Sequence, residues 1–213
     1  MRQKSKNKII IISLGVLFVL LTTTGVNNPI NADTTNIDEG IENSEEILSS
    51  RQSAGHNIYW PIWNYTTEER VRSVAISSDG NYIAAGSYDY NVYFFNKLSS
   101  TPMWNYTTGF NVNTVEISPD GNYIAAGSDD NYVYKFNKAS STPLWSYLCG
   151  SDVNSVTMSS NGKHIAVGKD WGDVDLLNGT SPNLLWRYDT GDDVYTVSIS
   201  SDGKYIAAGG WSL

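Results

Sequence analysis

The chain is poor in the residues that carry most chemistry. It has one cysteine, Cys149, which excludes an intrachain disulfide and leaves stability to packing. Its two histidines are His56 and His164, and it holds no G-x-S-x-G, G-x-G-x-x-G, H-E-x-x-H or P-loop spacing. No catalytic residue is expected. Basic charge is sparse as well. Residues 51–213 carry 10 Lys and Arg against 16 Asp and Glu, with no basic patch to neutralise phosphates, so nucleic acid is excluded as a partner. Long apolar runs are missing apart from Ile9 to Leu21, which only Ser13 and Gly15 interrupt.

That run follows Arg2, Lys4, Lys6 and Lys8 and is followed by polar chain and the small residue Ala32. Its 13 residues would span roughly 20 Å as a helix, short of the ~30 Å hydrocarbon core. The order basic, apolar, small reads as a cleaved signal peptide over residues 1–32. The alternative is an uncleaved anchor continuing through Thr22–Thr24 to Val26, with the basic flank cytoplasmic. Either reading exports the rest, as an extracellular or cell-surface protein that meets the membrane only through this segment. Residues 33–57 are polar and acidic without periodicity and read as a flexible spacer.

What the chain has in abundance is a repeat. SSDGNYIAAGS at Ser77–Ser87 returns as SPDGNYIAAGS from Ser118, SSNGKHIAVGK from Ser159 and SSDGKYIAAGG from Ser200, each 41 residues after the last. Trp63, Trp104, Trp145 and Trp186 keep the same step, as do nine of the 14 tyrosines. A period of this length signals a repeat architecture. Within one period, Val112–Ser118 alternates and is rich in β-branched residues, and Pro119-Asp120-Gly121-Asn122 is a tight turn. Tyr123–Ser128, Tyr132–Asn137 and Leu144–Leu148 are three further strands. Four short antiparallel strands per period make one blade of an all-β propeller over residues 58–213. Ala125, Ala126 and Gly127 are small where blades crowd, and the repeated aromatics are expected to pack between blades. Cys149 stands where other repeats have Thr67, Thr108 and Thr190, and His164 where they have tyrosine, so both read as strand substitutions.

Two propeller families share these patterns. V-x-x-V-x-x-S-x-D-G-x-x-I-A-x-G-S at Val71–Ser87 and Val112–Ser128 resembles a WD repeat, whose Trp-Asp ending appears here as Phe95-Asn96, Phe136-Asn137 and Leu177-Asn178. The Gly-His pair of that family is absent; Asp89 and Asp130 stand where its structural aspartate would. Phe94, Asn96, Ser99, Ser100 and Trp104, and again Lys135, Asn137, Ser140, Ser141 and Trp145, are similar in spacing to the tryptophan-docking motif of quinoprotein propellers. The first resemblance implies a β-propeller, and with no catalytic constellation in the sequence the chain reads as a non-catalytic binding or scaffold module. The second implies, as the alternative, part of a dehydrogenase propeller dependent on pyrroloquinoline quinone.

Fifteen strands are expected, one from the first outer strand, twelve from three full repeats and two after Val194. Propellers close with four to eight complete blades. The expectation is therefore three full blades plus parts of a fourth, as an open or imperfectly closed array or a fragment of a longer one.

Because strands alternate in direction, turns a–b and c–d share one end of a blade, and turns b–c and d–a share the other. The first end is nearly constant among repeats. The second varies, and variable loops on a uniform scaffold are where binding concentrates. The candidate face comprises Tyr88, Asp89, Tyr90, Asp129, Asp130, Tyr132, Asp170, Trp171 and Asp173. It is acidic and aromatic and suits a protein, peptide or glycan ligand, a cationic one included. The competing reading is that these are solvated turns, which Asp and Asn favour in any case. No metal or cofactor is expected. Asp129/Asp130 and Asp170/Asp173 could offer oxygens to calcium but lack the D-x-D-x-D spacing of a dedicated loop. Asn64, Asn105 and Asn178 head N-x-Ser/Thr sequons that export would open to glycosylation.

Overall fold

The computed structural model describes residues 7–13, 17–22 and 61–211. The spacer at 33–57 lies outside them. The chain is all-β. Strands β1 (Asn7–Ser13) and β2 (Leu17–Thr22) join β3 (Pro61–Thr67) in the order β2-β1-β3. Three four-stranded sheets follow in simple meander order. They are β4 to β7 (Val71–Ile76, Tyr82–Ser87, Asn91–Asn96, Trp104–Thr107), β8 to β11 (Val112–Ile117, Tyr123–Ser128, Tyr132–Asn137, Trp145–Leu148) and β12 to β15 (Val153–Met158, His164–Lys169, Asp173–Asn178, Leu184–Asp189). A two-stranded sheet, β16 (Val194–Ile199) and β17 (Ile206–Gly210), ends the array. Counted from β3, these are the fifteen expected strands, in blades that do not close into a ring.

Within the N-terminal apolar run the described residues fall in strands, Asn7–Ser13 and Leu17–Thr22. Ile9, Ile10 and Ile11 lie opposite Tyr65, Asn64 and Trp63 of β3. Four consecutive isoleucines are β-branched and favour a pleated backbone over a helix. Among the described residues no helix is long and apolar enough to cross a membrane.

The core is layered between successive sheets rather than held inside any one of them. Ala84, Val92 and Phe94 of one blade meet Val112, Val115 and Ile117 of the next. Ala125, Val133 and Trp145 likewise meet Val153, Val156 and Ile165. The small residues set the spacing: a Cβ on Gly127 would collide with Val153 of the following blade.

Polar ties repeat with the period. The Trp63 and Trp104 indole N–H groups donate to the backbone carbonyls of Lys97 and Lys138 in the next blade, at 2.7 and 2.9 Å. The N–H groups of Val115, Val156 and Val197 donate back to the hydroxyls of Ser73, Thr114 and Ser155 at 3.1, 3.2 and 3.1 Å. Every innermost strand carries a bulge at the same place, after Val71, Val112, Val153 and Val194. The bulge re-aims the extra residue. Asn113 and Asn154 thereby reach the carbonyls of Val153 and Val194 one blade on, at 3.1 and 3.2 Å.

One row breaks the apolar rule. Cross-strand neighbours on the face of the first full blade are Ala75, Ala84, Phe94 and Trp104. In the second they are Glu116, Ala125, Lys135 and Trp145. Burial pushes the Glu116 carboxyl up to about 7. The folded chain then holds a proton that the unfolded chain has lost. Stability from this group is full below the unfolded value near 4.5 and declines as pH rises through about 7. Glu116→Gln is expected to be more stable than the native chain at pH 8, by about 3 kcal/mol at most. Denaturant titrations at pH 8 and pH 4 should show that gap closing at the lower pH; an equal difference at both would contradict the assignment.

Candidate functional site

The variable loop end is built by the b–c turns and the d–a turns that face them. In the first two full blades the b–c turn is organised by an aspartate. Asp89 Oδ2 accepts from the Glu68 N–H at 3.2 Å and from the Tyr93 hydroxyl at 2.8 Å, while its Oδ1 accepts from the Asn91 N–H. Asp130 repeats this with the Gly109 N–H and the Tyr134 hydroxyl, both at 2.7 Å, and the Tyr132 N–H. Burial, then the facing aspartate, raises both tyrosine hydroxyls far above their usual range, so they stay protonated donors. These aspartates occupy the place expected for the structural aspartate of a WD-like repeat, with tyrosine as the donor.

Asp129 and Asp170 also have internal partners. Asp129 accepts from the side-chain amides of Asn111 and Asn113, and Asp170 accepts from that of Asn154 at 2.6 Å. Burial, then the charges of Asp129 and Asp170, raises the Asp152 carboxyl from its ordinary value. Among the described residues, no three His, Cys, Asp or Glu side chains are arranged to hold a metal. Tyr88 lies beneath the Arg70 guanidinium at 5.6 Å, and Tyr132 packs near Tyr134 at 5.8 Å.

Two sites on this end face solvent with aromatic surface. Tyr90, 39 % exposed, stacks on Phe110 of the adjoining d–a turn at 5.3 Å and 17°. Trp171 is 83 % exposed and has φ of 70°. Left-handed backbone disfavours a bulky side chain, and such strain is kept where something holds it. Its N–H donates to Asp193 Oδ1 at 3.0 Å, and Gly172 follows because a Cβ there would meet the Asp192 nitrogen at 2.8 Å.

The third full blade departs from its neighbours inside the sheet, and sequence reading did not single this out. Trp171 occupies the repeat position of Asp89 and Asp130, and Asp175 that of Tyr93 and Tyr134. Lys169 replaces Ser87 and Ser128, and Arg187 replaces Asn105 and Ser146. The fully buried Asp175 lies 3.2 Å from the Lys169 ammonium, and its two oxygens accept from the Arg187 guanidinium at 2.7 and 2.9 Å. Lys169 also meets Asp173 at 3.0 Å and the Cys149 carbonyl at 2.9 Å. Burial pushes the Cys149 thiol up to about 12, which leaves it an inert packing group. The signal was three charges appearing together in one repeat, at positions where the other repeats carry none.

The nine candidate residues thus divide. Asp89, Asp129, Asp130, Asp170 and Asp173 hold the loops and the charge cluster together. Tyr90, joined by Phe110, and Trp171 are the aromatic residues left presented.

Three stretches match the family model described as WD domain, G-beta repeat: residues 60–96, 101–137 and 183–212. No curated protein matches the chain. The unmatched segment between the second and third stretches contains Lys169, Trp171 and Asp175.

Breaking a buried ion pair costs far more than replacing it whole. Asp175→Asn is therefore expected to destabilise the chain by about 3–5 kcal/mol. The fourfold change Lys169→Ser, Trp171→Asp, Asp175→Tyr and Arg187→Ser restores the residue types of the preceding blade and should stay within about 1 kcal/mol of native. Urea unfolding of both variants checks this; a fourfold variant weaker than Asp175→Asn would refute it.

Proposed function

We propose that this WD-repeat-like β-propeller is an exported, non-catalytic binding or scaffold module that takes a protein or peptide partner on its b–c and d–a loop end. The observation that carries the reading is Trp171, a large aromatic held exposed on strained backbone at the tip of a turn. Exposed aromatic anchors dominate interface energetics, and strain of this kind is retained at functional positions. The surrounding acids, Asp152, Asp170, Asp192 and Asp193, favour a basic partner segment and steer its approach. WD-type repeats in general serve protein–protein contacts, which supports a protein over a glycan ligand. The dehydrogenase alternative shares with this chain the docking of tryptophan between blades, a packing feature that carries no redox chemistry.

Export rests on the N-terminal order of charge, apolar run and small residue. The mature protein isolated from its producing cell is expected to begin near residue 33; a cell-surface form that begins at Met1 supports the anchor instead. A cytosolic full-length form would overturn export.

The loop-end reading has a separable test. Trp171→Asn places a residue tolerant of left-handed backbone at the strained position and should raise stability by about 1 kcal/mol. The same change should weaken binding to a Lys/Arg-rich peptide selected against the native chain by tenfold or more. Unchanged affinity in a folded variant would move the partner elsewhere.

A further inference from the structure

A cavity of about 320 Å³ opens between the second and third full blades, at the end opposite the loop face. Tyr123, Lys135, Leu144, Trp145, Asn161 and Thr180 line it. That is space for about ten water molecules, within the range of a small-molecule site. The Lys135 side chain is almost wholly buried there. Its ammonium donates to the carbonyls of Gly162 and Gly179 at 3.0 and 2.5 Å and stands 4.4 Å from the centre of the Tyr123 ring. Among the described residues no carboxylate forms an ion pair with it. Glu116 is on the same face, but Ala125 stands between the two in the register.

The preceding interface shows how the cavity arises. There the position of Lys135 is Phe94, whose ring stacks on Tyr82 at 5.5 Å and Trp104 at 5.0 Å and fills the space. The position of Gly179 is Lys138, whose ammonium covers Tyr82 from outside at 5.0 Å. The position of Asn161 is Asp120. Three differences therefore coincide at one interface. A filling ring becomes a cation, a covering side chain is lost, and the carboxylate that could neutralise the cation becomes an amide. Asn161 Oδ1 keeps the turn's hydrogen bonds, from the Ser159 hydroxyl at 2.9 Å and the Lys163 N–H at 3.0 Å. Its amide nitrogen is then a donor where Asp120 has its second oxygen. The other copies of this turn, at Asp79 and Asp202, keep the acid.

We propose that this cavity is a binding site for a small organic monocarboxylate with an apolar or aromatic body. The carboxylate would meet the Lys135 ammonium and the Asn161 amide, and the body would lie against Trp145, Leu144 and Tyr123. A single buried ammonium matches one negative charge. A phosphate dianion would be left half neutralised in a chain of net charge −8.

Calorimetry of the full chain with phenylacetate, phenylacetamide and inorganic phosphate tests this. Phenylacetate is expected to bind saturably and at least about tenfold tighter than the neutral amide, the worth of a hydrogen bond to a charged group. Lys135→Phe restores the residue of the preceding interface, and Asn161→Asp supplies an internal counterion. Each should weaken phenylacetate binding by at least about tenfold. Should Lys135→Phe not fold, Asn161→Asp decides alone. Absence of binding to the native chain at millimolar phenylacetate overturns the proposal. So does equal binding of the amide, displacement by phosphate at equal concentration, or native affinity in the folded variants.

Discussion

A four-stranded blade has two apolar faces and can bury neither alone. Everything else in this chain follows from the need for each blade to be covered by the next. Ala125 and Ala126 are adjacent in β9 and belong to different core layers, one toward each neighbouring blade. The polar ties obey the same constraint. The indole of Trp104 reaches 34 residues ahead to Lys138, the Val156 N–H reaches 42 back to Thr114, and Asn113 reaches 40 ahead to Val153. The hydroxyl and amide ties lie within one residue of the 41-residue period, and the indole tie keeps a fixed offset of 34 in every blade that makes it. A single-residue deletion within a repeat would therefore disturb indole, hydroxyl and amide ties at once. This coupling is a sufficient physical reason for an invariant repeat length in a chain without disulfides.

The same coupling explains what could be read from sequence. Strand positions were legible because inward and outward residues alternate around fixed Asp-Gly turns. The strands from Val112 to Leu148 fall within a residue of their expected limits. The tryptophan step was legible because one indole donor per blade serves one carbonyl per blade. The N-terminal run was read by its hydropathy, and hydropathy does not distinguish a short helix from paired strands. Asn7–Ser13 pairs with β3 and Leu17–Thr22 pairs with Asn7–Ser13.

The candidate face was only half legible. A turn aspartate looks the same in sequence whether it meets solvent or a backbone N–H. Asp89 and Asp130 were placed on a recognition face because their loops vary among repeats, yet both spend their oxygens on neighbouring loop N–H groups and a tyrosine hydroxyl. The internal charges were missed for the complementary reason. Attention to variable loops passes over variation inside strands, where Lys135, Lys169 and Asp175 sit. In a repeat protein a departure at a strand position says more than one in a loop, because packing holds the other copies alike. Phe94 stacks between the rings of Tyr82 and Trp104, whereas Lys135 at the same repeat position reaches the carbonyls of Gly162 and Gly179.

The third full blade shows how such departures combine. In the blades before it, the b–c turn is tied down by its own aspartate, which accepts from the d–a turn and from a tyrosine beneath. In the third blade the tie runs to the following d–a turn instead of the preceding one, and the b–c turn is the donor. Asp193 of the d–a turn accepts from the Trp171 N–H in the b–c turn. The turn remains anchored through its backbone, so the side chain at 171 is released from structural service and can point into solvent. The tyrosine beneath would then lack an acceptor, and the position is taken by Asp175, which Lys169 and Arg187 neutralise from within the blade. The buried charge cluster and the exposed tryptophan are thus two halves of one rearrangement. A polar network moved inward is the condition for an aromatic moved outward.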